Sequence, residues 1–485
     1  MSKQGGQSTP AVSAALGPFP QRAERGRAAR ASAPRSGNAL WEPAPNRADP
    51  IALLEEQALT RVPDLVPIRY SRMLASPFAF FRGAALIMAG DLAGSVVSGL
   101  TVQLCGDAHL SNFGFFASPE RAQVFDINDF DETLPGPWEW DVKRLAASFD
   151  VAGRHRGFSP ERRRTLSQTV ARGYRERMRE SAASPVLTAW YDRMDAESVF
   201  EWIRRESGKR SGTDHAQRLA IGLAKSRLKG SVRAFSKLVD VVDGELRIKA
   251  QPPLIVPLSD LGPVGRERQH DEEEVRRLLL EYRSTVLQQN NPLREFEFVD
   301  MARKVVGVGS VGTRAWVVLM RGRDNDDPLL LQAKQAESSV LERFLPPSEY
   351  ENHGERVVRG QRIMQAASDI FLGWQRVEGF DSVHRDFYLR QLTDWKGSVD
   401  VDAMPYSVAL IYARLCGDTL ARAHARSGDR VAIAAYLGVS TVFDTAISQF
   451  AERYAAQNDA DFAAFREAVA SGRLAADPGS VPASV

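Results

Sequence analysis

The stretch that decides the fold is Gly106-Asp107-Ala108-His109-Leu110-Ser111-Asn112. It follows residues 100–104, whose alternating apolar and polar side chains predict a β-strand. A second predicted strand, residues 123–127, leads into the acidic segment Asp126-Ile127-Asn128-Asp129-Phe130-Asp131-Glu132. Carboxylates at the ends of strands are costly unless they bind a cation or take part in chemistry. These two segments are therefore the first candidate for a functional site.

The residue types in the two segments suit phosphoryl transfer. In that chemistry one carboxylate positions the attacking hydroxyl and accepts its proton, while an amide oxygen and a second carboxylate hold Mg²⁺. Asp107 and Asn112 have the D-x-x-x-x-N spacing, so we predict Asp107 as the catalytic base and Asn112 as a metal ligand. Asp129 is the predicted second metal ligand, with Asp126 as its alternative. His109 belongs to the same catalytic loop, which it is expected to order by hydrogen bonding.

Three other interpretations of these residues remain open at this point. Asp107, His109 and Asp126 would suit a hydrolytic metal site. Cys105 and His109 would suit a cysteine nucleophile with its base, although a single cysteine beside a strand is usually buried. Asp107 would also suit a turn or a helix cap that has no role in chemistry.

A glycine-rich loop, Gly307-Val308-Gly309-Ser310-Val311-Gly312, is the second candidate site. β-branched and aromatic residues follow it, so it joins two strands, whereas a dinucleotide-binding loop leads from a strand into a helix. The loop lacks a Gly-Lys-Ser/Thr ending, which excludes a Walker A loop. A glycine-rich hairpin lies over the ATP phosphates in kinase-like folds, because backbone N–H groups without Cβ atoms can approach the oxygens closely.

Such a hairpin requires a lysine on the strand that follows it. Residues 315–320 and 329–334 predict two strands around an Asp-rich turn, and Lys334 ends the second strand. Its ammonium group would be a point charge for the α and β phosphates. The structural alternative is a plain glycine-rich hairpin with a lysine that extends its stem along the surface.

Length and composition predict several units. The chain has 485 residues, and a domain typically holds about 100–200. Residues 1–50 are rich in Ala, Gly, Ser, Pro and Arg, which predicts a disordered basic tail. We expect a helix-rich larger lobe with the catalytic and metal-binding loops at 51–295, a β-rich nucleotide-binding lobe at 296–395, and a helical completion of the larger lobe at 396–485. Within the β-rich lobe, residues 355–374 are predicted to be helical.

Charge and cysteine content exclude several classes of protein. The 63 basic and 61 acidic side chains give a net charge of +2, which provides no general attraction to nucleic acids or acidic membranes. The two cysteines, Cys105 and Cys416, exclude a disulfide framework and a thiolate zinc site. No stretch reaches the ~18 apolar residues that span a bilayer, and the first residues lack the pattern of a secretory signal. We therefore expect a cytoplasmic protein without nucleic-acid partners or a membrane span, while its oligomeric state has no signature in the sequence.

The catalytic segment resembles that of a known group of enzymes. Residues 106–112 are similar to the His-Gly-Asp-x-His-x-x-Asn loop of aminoglycoside and choline phosphotransferases, with Cys105 in place of the first histidine. Asp129-Phe130-Asp131 resembles their metal-binding segment, and Trp140-Asp141 resembles the start of their next helix. From about residue 60 to 475 the chain is similar to domain-of-unknown-function family 2252, a bacterial group placed near the kinase-like folds.

The resemblance implies an α+β, protein-kinase-like fold of two lobes. In ordinary kinases the glycine loop precedes the catalytic loop, whereas here Asp107 comes before Gly307, so we expect a circularly permuted fold. The predicted helix 408–424 is similar to the helix that leads into the catalytic loop of those enzymes, which supports the permutation.

The resemblance also implies ATP and Mg²⁺ as cofactors. The residues expected to cover or bind the phosphates are Gly307, Gly309, Gly312 and Lys334. The backbone expected to receive the adenine is that of Gln391, Leu392 and Thr393. A glutamate that follows the lysine strand should pair with the lysine, and the candidates in order of preference are Glu355, Glu342 and Glu337. Arg82 and Arg314 could contact phosphate or substrate, although a surface or structural ion pair is the preferred interpretation of each.

The function predicted from these residues is phosphate transfer from ATP to the hydroxyl group of an unidentified small-molecule or protein acceptor. Two alternatives use the same nucleotide pocket. The first is an enzyme that transfers AMP to a hydroxyl, and the second is a non-catalytic scaffold that binds ATP.

Overall fold

The computed structural model describes residues 16–199, 201, 231–261, 268–286, 291–305, 307–379, 381–392 and 400–477. Within these ranges the chain has an α+β structure with antiparallel sheets. The α-helices are α1 (Phe19–Ser32), α2 (Pro50–Ala58), α3 (Val66–Leu74), α4 (Pro77–Arg82), α5 (Ala85–Ala93), α6 (Trp138–His155), α7 (Pro160–Ala183), α8 (Val186–Tyr191), α9 (Ser231–Leu238), α10 (Arg268–Arg283), α11 (His353–Met364), α12 (Tyr406–Ser427), α13 (Arg430–Leu437) and α14 (Val442–Ala470). The strands are β1 (Thr101–Leu104), β2 (Phe113–Ala117), β3 (Gln123–Ile127), β4 (Leu134–Pro137), β5 (Met194–Asp195), β6 (Val239–Val242), β7 (Glu245–Ile248), β8 (Ile255–Pro257), β9 (Glu297–Lys304), β10 (Ala315–Arg321), β11 (Pro328–Ala336), β12 (Gly373–Glu378) and β13 (His384–Gln391).

The long helices begin where their sequences favour it. Ser159 caps α7, because its hydroxyl accepts a hydrogen bond from a backbone N–H of the first turn. α6 carries Glu139 and Asp141 in its first turn, where the helix dipole favours acids. α6, α7, α12 and α14 enclose the main core, in which the rings of Trp138 and Tyr174 stack at 5.3 Å. Among the described helices none alone is long and apolar enough to cross a membrane, and only the pair α13 and α14, bent by 86°, meets that criterion together.

A six-stranded antiparallel sheet forms the second lobe, with the strand order β12-β13-β11-β10-β9-β8. The glycine loop joins β9 to β10, as predicted, and β11 places Lys334 opposite Ala315 of β10. One face of the sheet packs against α10 through Tyr282, Leu331 and Phe387. The chain then passes through α11 before it returns to the sheet as β12.

Two short antiparallel pairings position the acidic segments. β1 pairs with β4, and β2 pairs with β3. In the second pairing Phe113 lies opposite Ile127, so the residues just before β2 are neighbours of the residues just after β3. The hairpin therefore brings the end of the catalytic segment, residues 106–112, next to the acidic segment, residues 126–132.

The strands predicted over residues 100–104, 123–127, 315–320 and 329–334 are confirmed as β1, β3, β10 and β11, with ends that move by a few residues at most. The helix predicted over residues 355–374 is too long, because α11 ends at Met364 and Trp374 lies in β12. Trp374 is opposite Tyr388 of β13, so its backbone is part of the sheet ladder. Pairing with a strand that comes later in the chain thus overrides the local helical pattern.

The predicted disordered tail is wrong from Phe19 onward, since α1 packs along α13. Arg22 forms an ion pair with Asp429 at 2.9 Å, and Arg30 Nε donates to the carbonyl of Tyr436 at 2.8 Å. The arginines that suggested a solvated arm therefore bind the ends of another helix. The first fifteen residues lie outside the described ranges.

The second lobe begins earlier in the chain than residue 296. β8 is an edge strand of the six-stranded sheet, and α10 covers one of its faces. The β6–β7 hairpin packs on the opposite face through Leu246, which joins a cluster with Val317 and Leu330. Those residues alternate along their strands with the residues that face α10, which is why both faces of the sheet are apolar.

Candidate active site

A cavity of about 960 Å³, here named the central cavity, lies between the acidic segments and the six-stranded sheet. Asp107 lines it from one side and Lys334 from the other. The predicted site residues that line it are Asp107, His109, Asn112, Asp129, Gly307, Gly309, Lys334 and Leu392. The tertiary structure thus brings together the two candidate sites that are remote in the sequence. Four other predicted site residues are described but do not line the central cavity: Asp126, Gly312, Glu355 and Gln391.

The backbone before the predicted catalytic aspartate is held by α6 and α12. Asp141 accepts hydrogen bonds from the N–H groups of Cys105 at 2.8 Å and Gly106 at 3.1 Å. Nε2 of His424 lies 3.2 Å from the same carboxylate. Gly106 has φ +83°, and a Cβ at this position would overlap the carbonyl group of Glu132, so the turn requires glycine.

Asp107 is oriented by an arginine that the sequence did not reveal. Arg144 Nε donates to Asp107 Oδ1 at 2.5 Å, and His109 Nε2 lies 3.7 Å from Oδ2. Arg144 is itself held by the carbonyl of Phe81, and its guanidinium lies 4.5 Å from the Phe81 ring centre. Burial raises the pKa of Asp107 above its ordinary value, and Arg144 opposes that shift. Because the side chain is still 19% exposed, the carboxylate is open to a substrate in the central cavity.

His109 is buried and neutral. Burial, together with the positive charges of Arg82 and Arg144, holds the pKa of its imidazole well below the ordinary range. Its Nδ1 has no hydrogen-bond partner within the described part of the chain, and the ring meets Phe78 edge-on at 6.3 Å. The predicted ordering of the loop by hydrogen bonds of this side chain is therefore not seen among the described residues, and the ring is held by packing.

Asn112 and Asp129 come together through the β2–β3 hairpin. The N–H of Asn128 donates to the carbonyl of Asn112 at 2.8 Å, which fixes the spacing of the two segments. Asn112 Nδ2 donates to the carbonyl of Asp107 at 2.9 Å, so the side-chain oxygen of Asn112 is left for a ligand. The side chain of Asp129 is 34% exposed.

One amide oxygen and one carboxylate suit Mg²⁺, which proteins usually hold by one or two carboxylates while phosphates and waters supply the other ligands. Within the described ranges, no three His, Cys, Asp or Glu side chains form a group that could hold a metal ion. The donors therefore suit a metal that enters with a phosphate ligand better than one held by protein groups alone.

Lys334 is 4% exposed and forms an ion pair with Asp131, while its Nζ lies 3.9 Å from Asp129 Oδ1. Asp131 also accepts hydrogen bonds from the hydroxyl groups of Tyr388 at 2.7 Å and Ser310 at 3.2 Å. Burial lowers the pKa of Lys334, but the two carboxylates outweigh burial and place the pKa above its ordinary value. Burial and the neighbouring Asp131 raise the pKa of Asp129. The lysine is therefore charged and anchored to the acidic segment.

The prediction of Glu355 as the partner of the lysine is wrong. Glu355 lies in the first turn of α11 and pairs with Arg359 of the same helix at 3.1 Å. Glu342 accepts a hydrogen bond from the N–H of Ser339 in a capping box. Glu337 lines the central cavity and accepts a hydrogen bond from the side chain of Gln335 at 3.1 Å.

The residue of α11 that reaches toward the acidic segment is Arg356, which is 2% exposed. It donates to the carbonyl groups of Asp131 and Thr133 at 2.8 Å and 2.7 Å. It also donates to the carbonyl of Glu337 at the end of the lysine strand. Arg356 of α11 thus supports the acidic segment by binding its backbone carbonyl groups. Glu355, the neighbouring residue of α11, pairs with Arg359 and not with Lys334.

The glycine loop packs against the segment α2–α5. Val311 is fully buried, and Arg61 donates to its carbonyl and to that of Gly309 at 3.1 Å. Gly312 has φ +93°, which favours glycine, and a Cβ there would press on the Arg61 side chain. Gly307 and Gly309 therefore face the central cavity, whereas Gly312 shapes the turn that leads to β10.

The segment expected to receive the adenine is only partly available. The N–H of Gln391 donates to the carboxylate of Asp369, and the N–H of Leu392 donates to the carbonyl of Leu330 at 2.8 Å. These two donors are therefore engaged, and Leu392 instead presents its side chain to the central cavity. Thr393 lies outside the described residues.

The family model for uncharacterized proteins conserved in bacteria, DUF2252, matches residues 61–468. The chain belongs to the DUF2252 family. The matched range contains the predicted catalytic segment, the acidic segment, the glycine loop and Lys334, each of which contributes to the lining of the central cavity. No curated protein and no solved structure matches the chain.

Two of the alternative site residues have surroundings that do not suit the roles considered for them: Asp126 does not line the central cavity, whereas Cys105 lines it but is buried. Asp126 lies within β3, where its carboxylate is buried 3.8 Å from Arg426 of α12, so it is not brought together with Asn112 and Asp107. Alternate residues of a strand point to opposite faces, and Asp126 points to the side of α12. Burial raises the pKa of the Cys105 thiol well above its ordinary value, which argues against a thiolate nucleophile.

Several residues at the central cavity of the DUF2252 protein escaped the sequence analysis. Arg144 stands three residues after Asp141, a helical spacing that places both side chains toward the same loop, and this signal was available. Asp131 belongs to the acidic segment, but the sequence did not indicate that it binds the lysine. Nothing in the sequence indicated that Tyr388 belongs to the site, because its contact with Asp131 is formed only in the tertiary structure. For Arg82 an ion pair was the preferred interpretation, yet it lines the central cavity.

Proposed function

We propose that this DUF2252 protein is an ATP- and Mg²⁺-dependent phosphotransferase with a circularly permuted kinase-like fold. The observation that carries the proposal is the convergence of Asp107, Asn112, Asp129 and Lys334 on one cavity that the glycine loop also lines. In phosphoryl transfer a carboxylate base, two metal ligands, a lysine and a glycine hairpin are the required parts.

The order of elements in the second lobe supports the kinase-like part of the proposal. A glycine hairpin, a strand with a lysine and a helix follow one another in kinases, and here β9–β10, β11 and α11 have the same order. In the larger lobe, the hydroxyl of Tyr412 on α12 lies 2.7 Å from the carbonyl of Leu110 in the catalytic loop. A helix from the end of the chain thus supports a loop near its beginning, which agrees with a permuted order.

Each residue has a role that follows from its surroundings. Asp107 accepts the proton of the acceptor hydroxyl while that oxygen forms a bond to the γ-phosphorus of ATP and the bond from the γ-phosphorus to the bridging oxygen breaks, leaving ADP. Asn112 and Asp129 would hold Mg²⁺, which when bound neutralises charge on the phosphates. Lys334 supplies a fixed positive charge for the phosphates, and Arg144 keeps the carboxylate of Asp107 oriented.

The decisive experiment does not require the acceptor, because kinase-like sites also transfer phosphate slowly to water. The full-length chain is incubated with Mg²⁺ and with ATP that carries a label on either the α or the γ phosphate. We expect labelled phosphate and ADP from the wild type, and a loss of at least about a hundredfold in Asp107→Asn. Glu355→Gln is the control, because Glu355 lies outside the central cavity.

The other outcomes identify the rival functions. Release of pyrophosphate, or AMP bound to protein, would favour AMP transfer. Mg²⁺-dependent thermal stabilisation by ATP without any product would favour the scaffold. An absence of nucleotide binding in any assay would reject the nucleotide site altogether.

A further inference from the structure

Three arginines form one wall of the central cavity. Arg61 follows α2, Arg69 lies in α3, and Arg82 ends α4. Arg69 is only 1% exposed. Within the described part of the chain, none of the three forms a salt bridge with a carboxylate, although most buried charges in proteins are paired.

Several N–H groups of these arginines have no hydrogen-bond partner. In the described residues, Arg69 leaves Nε and Nη1 unsatisfied, and Arg61 and Arg82 each leave Nε unsatisfied. The bonds that Arg69 does make run from Nη2 to the carbonyl of Gly83 at 3.0 Å and to the side chain of Gln57 at 3.2 Å. Burial lowers the pKa of all three guanidinium groups. A buried guanidinium without a counter-charge is unfavourable. An anion that accepts hydrogen bonds from the free N–H groups, through separate donors at Arg69 and through the fork at Arg82, would relieve this.

The backbone of residues 81–83 links this basic wall to the predicted catalytic base. Arg144 holds Asp107 and also donates to the carbonyl of Phe81 at 3.1 Å. Arg69 donates to the carbonyl of Gly83, so Arg82 lies between the two contacts. Arg82 lines the same cavity as Asp107, the carboxylate that would receive the acceptor hydroxyl, and its charge lowers the pKa of that carboxylate. Lys334, by contrast, is anchored to the acidic segment on the side of the sheet.

We propose that Arg69 and Arg82 bind a phosphate or carboxylate group of the acceptor, so that the substrate is an anionic hydroxyl compound. This inference rests on the proposed phosphotransferase function and adds the class of its acceptor. A guanidinium fork suits both anions, and the binding energy of such a remote group would help to orient the hydroxyl at Asp107. Arg61 closes the wall but already bonds two carbonyls of the glycine loop, so it is assigned to positioning that loop.

The test is a calorimetric titration of the full-length chain with inorganic phosphate and, separately, with malonate. Each titration is performed on the free chain and on the chain saturated with Mg²⁺ and a non-hydrolysable ATP analogue. We expect at least one anion to bind the nucleotide-loaded chain, and Arg82→Gln and Arg69→Gln to weaken that binding roughly tenfold or more. The anion that binds more tightly shows whether the acceptor carries a phosphate or a carboxylate group.

Arg343→Gln is the matched control, because Arg343 also lines the central cavity but already pairs with Glu56 at 2.9 Å. It should leave anion binding unchanged. If Arg69→Gln fails to fold, Arg82→Gln tests the proposal alone. This variant should fold, because the Arg82 side chain forms no hydrogen bond or salt bridge with the described residues. Arg69→Lys, which keeps the charge but presents its donors in a different geometry, should retain part of the binding.

Two results would overturn the proposal. In the first, neither anion binds the free or the loaded chain. In the second, the anions bind only the free chain, nucleotide displaces them, and Arg82→Gln weakens nucleotide binding, which would assign these arginines to the phosphates of ATP. Failure of the nucleotide itself to bind would reject the proposed function alone, since an anion titration that depends on Arg69 and Arg82 can still be read on the free chain.

Discussion

Lys334 of β11 forms an ion pair with Asp131 of the acidic segment, although the two residues belong to different lobes. The pair connects the six-stranded sheet to the acidic segment, and Tyr388 and Ser310 donate hydrogen bonds to the same carboxylate. In ordinary kinases the lysine pairs with a glutamate of the following helix. Here that helix contributes Arg356 to the acidic segment, while Glu355 pairs with Arg359. The network therefore couples the geometry of the two lobes through the acidic segment.

This pairing predicts a specific energetic coupling. In a double-mutant cycle with Lys334→Met and Asp131→Asn, the free energies of unfolding should differ from additivity by about 0.5–3 kcal/mol, because the two groups are in contact. The cycle with Lys334→Met and Glu355→Gln should be additive within about 0.5 kcal/mol. Urea unfolding of the wild type, the three single variants and the two double variants measures both couplings. Coupling to Glu355 and additivity with Asp131 would contradict the structure.

Asp107→Asn should separate catalysis from binding. The substitution keeps the shape of the side chain and removes the base, so turnover is expected to fall by about 10²–10⁴-fold. The affinity for Mg²⁺ and an ATP analogue should change little, because Asp107 is not among the predicted ligands of the nucleotide. Steady-state kinetics and calorimetry measure the two quantities. Equal turnover of the variant and the wild type would remove Asp107 from the mechanism.

The metal ligands can be tested by removing the metal. In the wild type, EDTA should weaken binding of the ATP analogue, and Asp129→Asn should largely abolish that difference because a neutral amide replaces the carboxylate ligand. Asp126→Asn should preserve the dependence on Mg²⁺, since Asp126 points toward Arg426. Calorimetric titrations with and without Mg²⁺ provide the comparison. If Asp126→Asn loses the dependence of nucleotide binding on Mg²⁺ and Asp129→Asn keeps it, Asp126 and not Asp129 would be the metal ligand.

Arg144 is predicted to set the pH at which Asp107 becomes active. Burial raises the pKa of Asp107 and Arg144 lowers it, so Arg144→Met should raise it further. The base must be ionised, and the acid limb of the kcat profile should therefore move to higher pH by about one unit or more. Arg144→Lys keeps the charge and should show a smaller displacement. Superimposable pH profiles of Arg144→Met and the wild type would show that Arg144 acts only on stability.

Lys143 provides a prediction that does not depend on function. It is fully buried, and its Nζ has no hydrogen-bond partner within the described part of the chain. Burial lowers the pKa of Lys143 to about 8, and the negative charge of Glu139 opposes this shift only partly. Lys143→Met should therefore stabilise the protein at pH 7 by about 1–3 kcal/mol, because a buried charge is replaced by an apolar side chain.

The sign of the pH dependence follows from the same shift. Between about pH 8 and the unfolded pKa of 10.5, the unfolded chain binds more protons at Lys143 than the folded chain does, so the stability of the wild type gains with rising pH. The advantage of Lys143→Met should shrink over that window and be constant below it. Urea unfolding at several pH values tests this, with the exposed Lys237→Met as the control. A constant difference up to pH 10 would contradict a buried, charged lysine.

Local patterns were reliable where neighbours in the chain decide the structure. The apolar runs of β10 and β11 and the alternation of β1 predicted strands that are present. Trp374 was assigned to a helix because its neighbours are helical in character, but the partner strand β13 takes it into the sheet. The basic residues of α1 read as a solvated arm, because the helix α13 that they bind lies at the other end of the chain.

The sequence by itself determined the chemistry of the candidate site: the spacing of Asp107 and Asn112, the acids after β3, the glycine hairpin and the strand that ends in Lys334. Each of these depends on residues a few positions apart, and short-range spacing is what a sequence displays directly. Only the tertiary structure decided that the lysine pairs with Asp131, and that three arginines, which have no carboxylate partner among the described residues, face the same cavity. Those relationships depend on how helices and the sheet pack, and packing joins residues whose separation along the chain carries no signal.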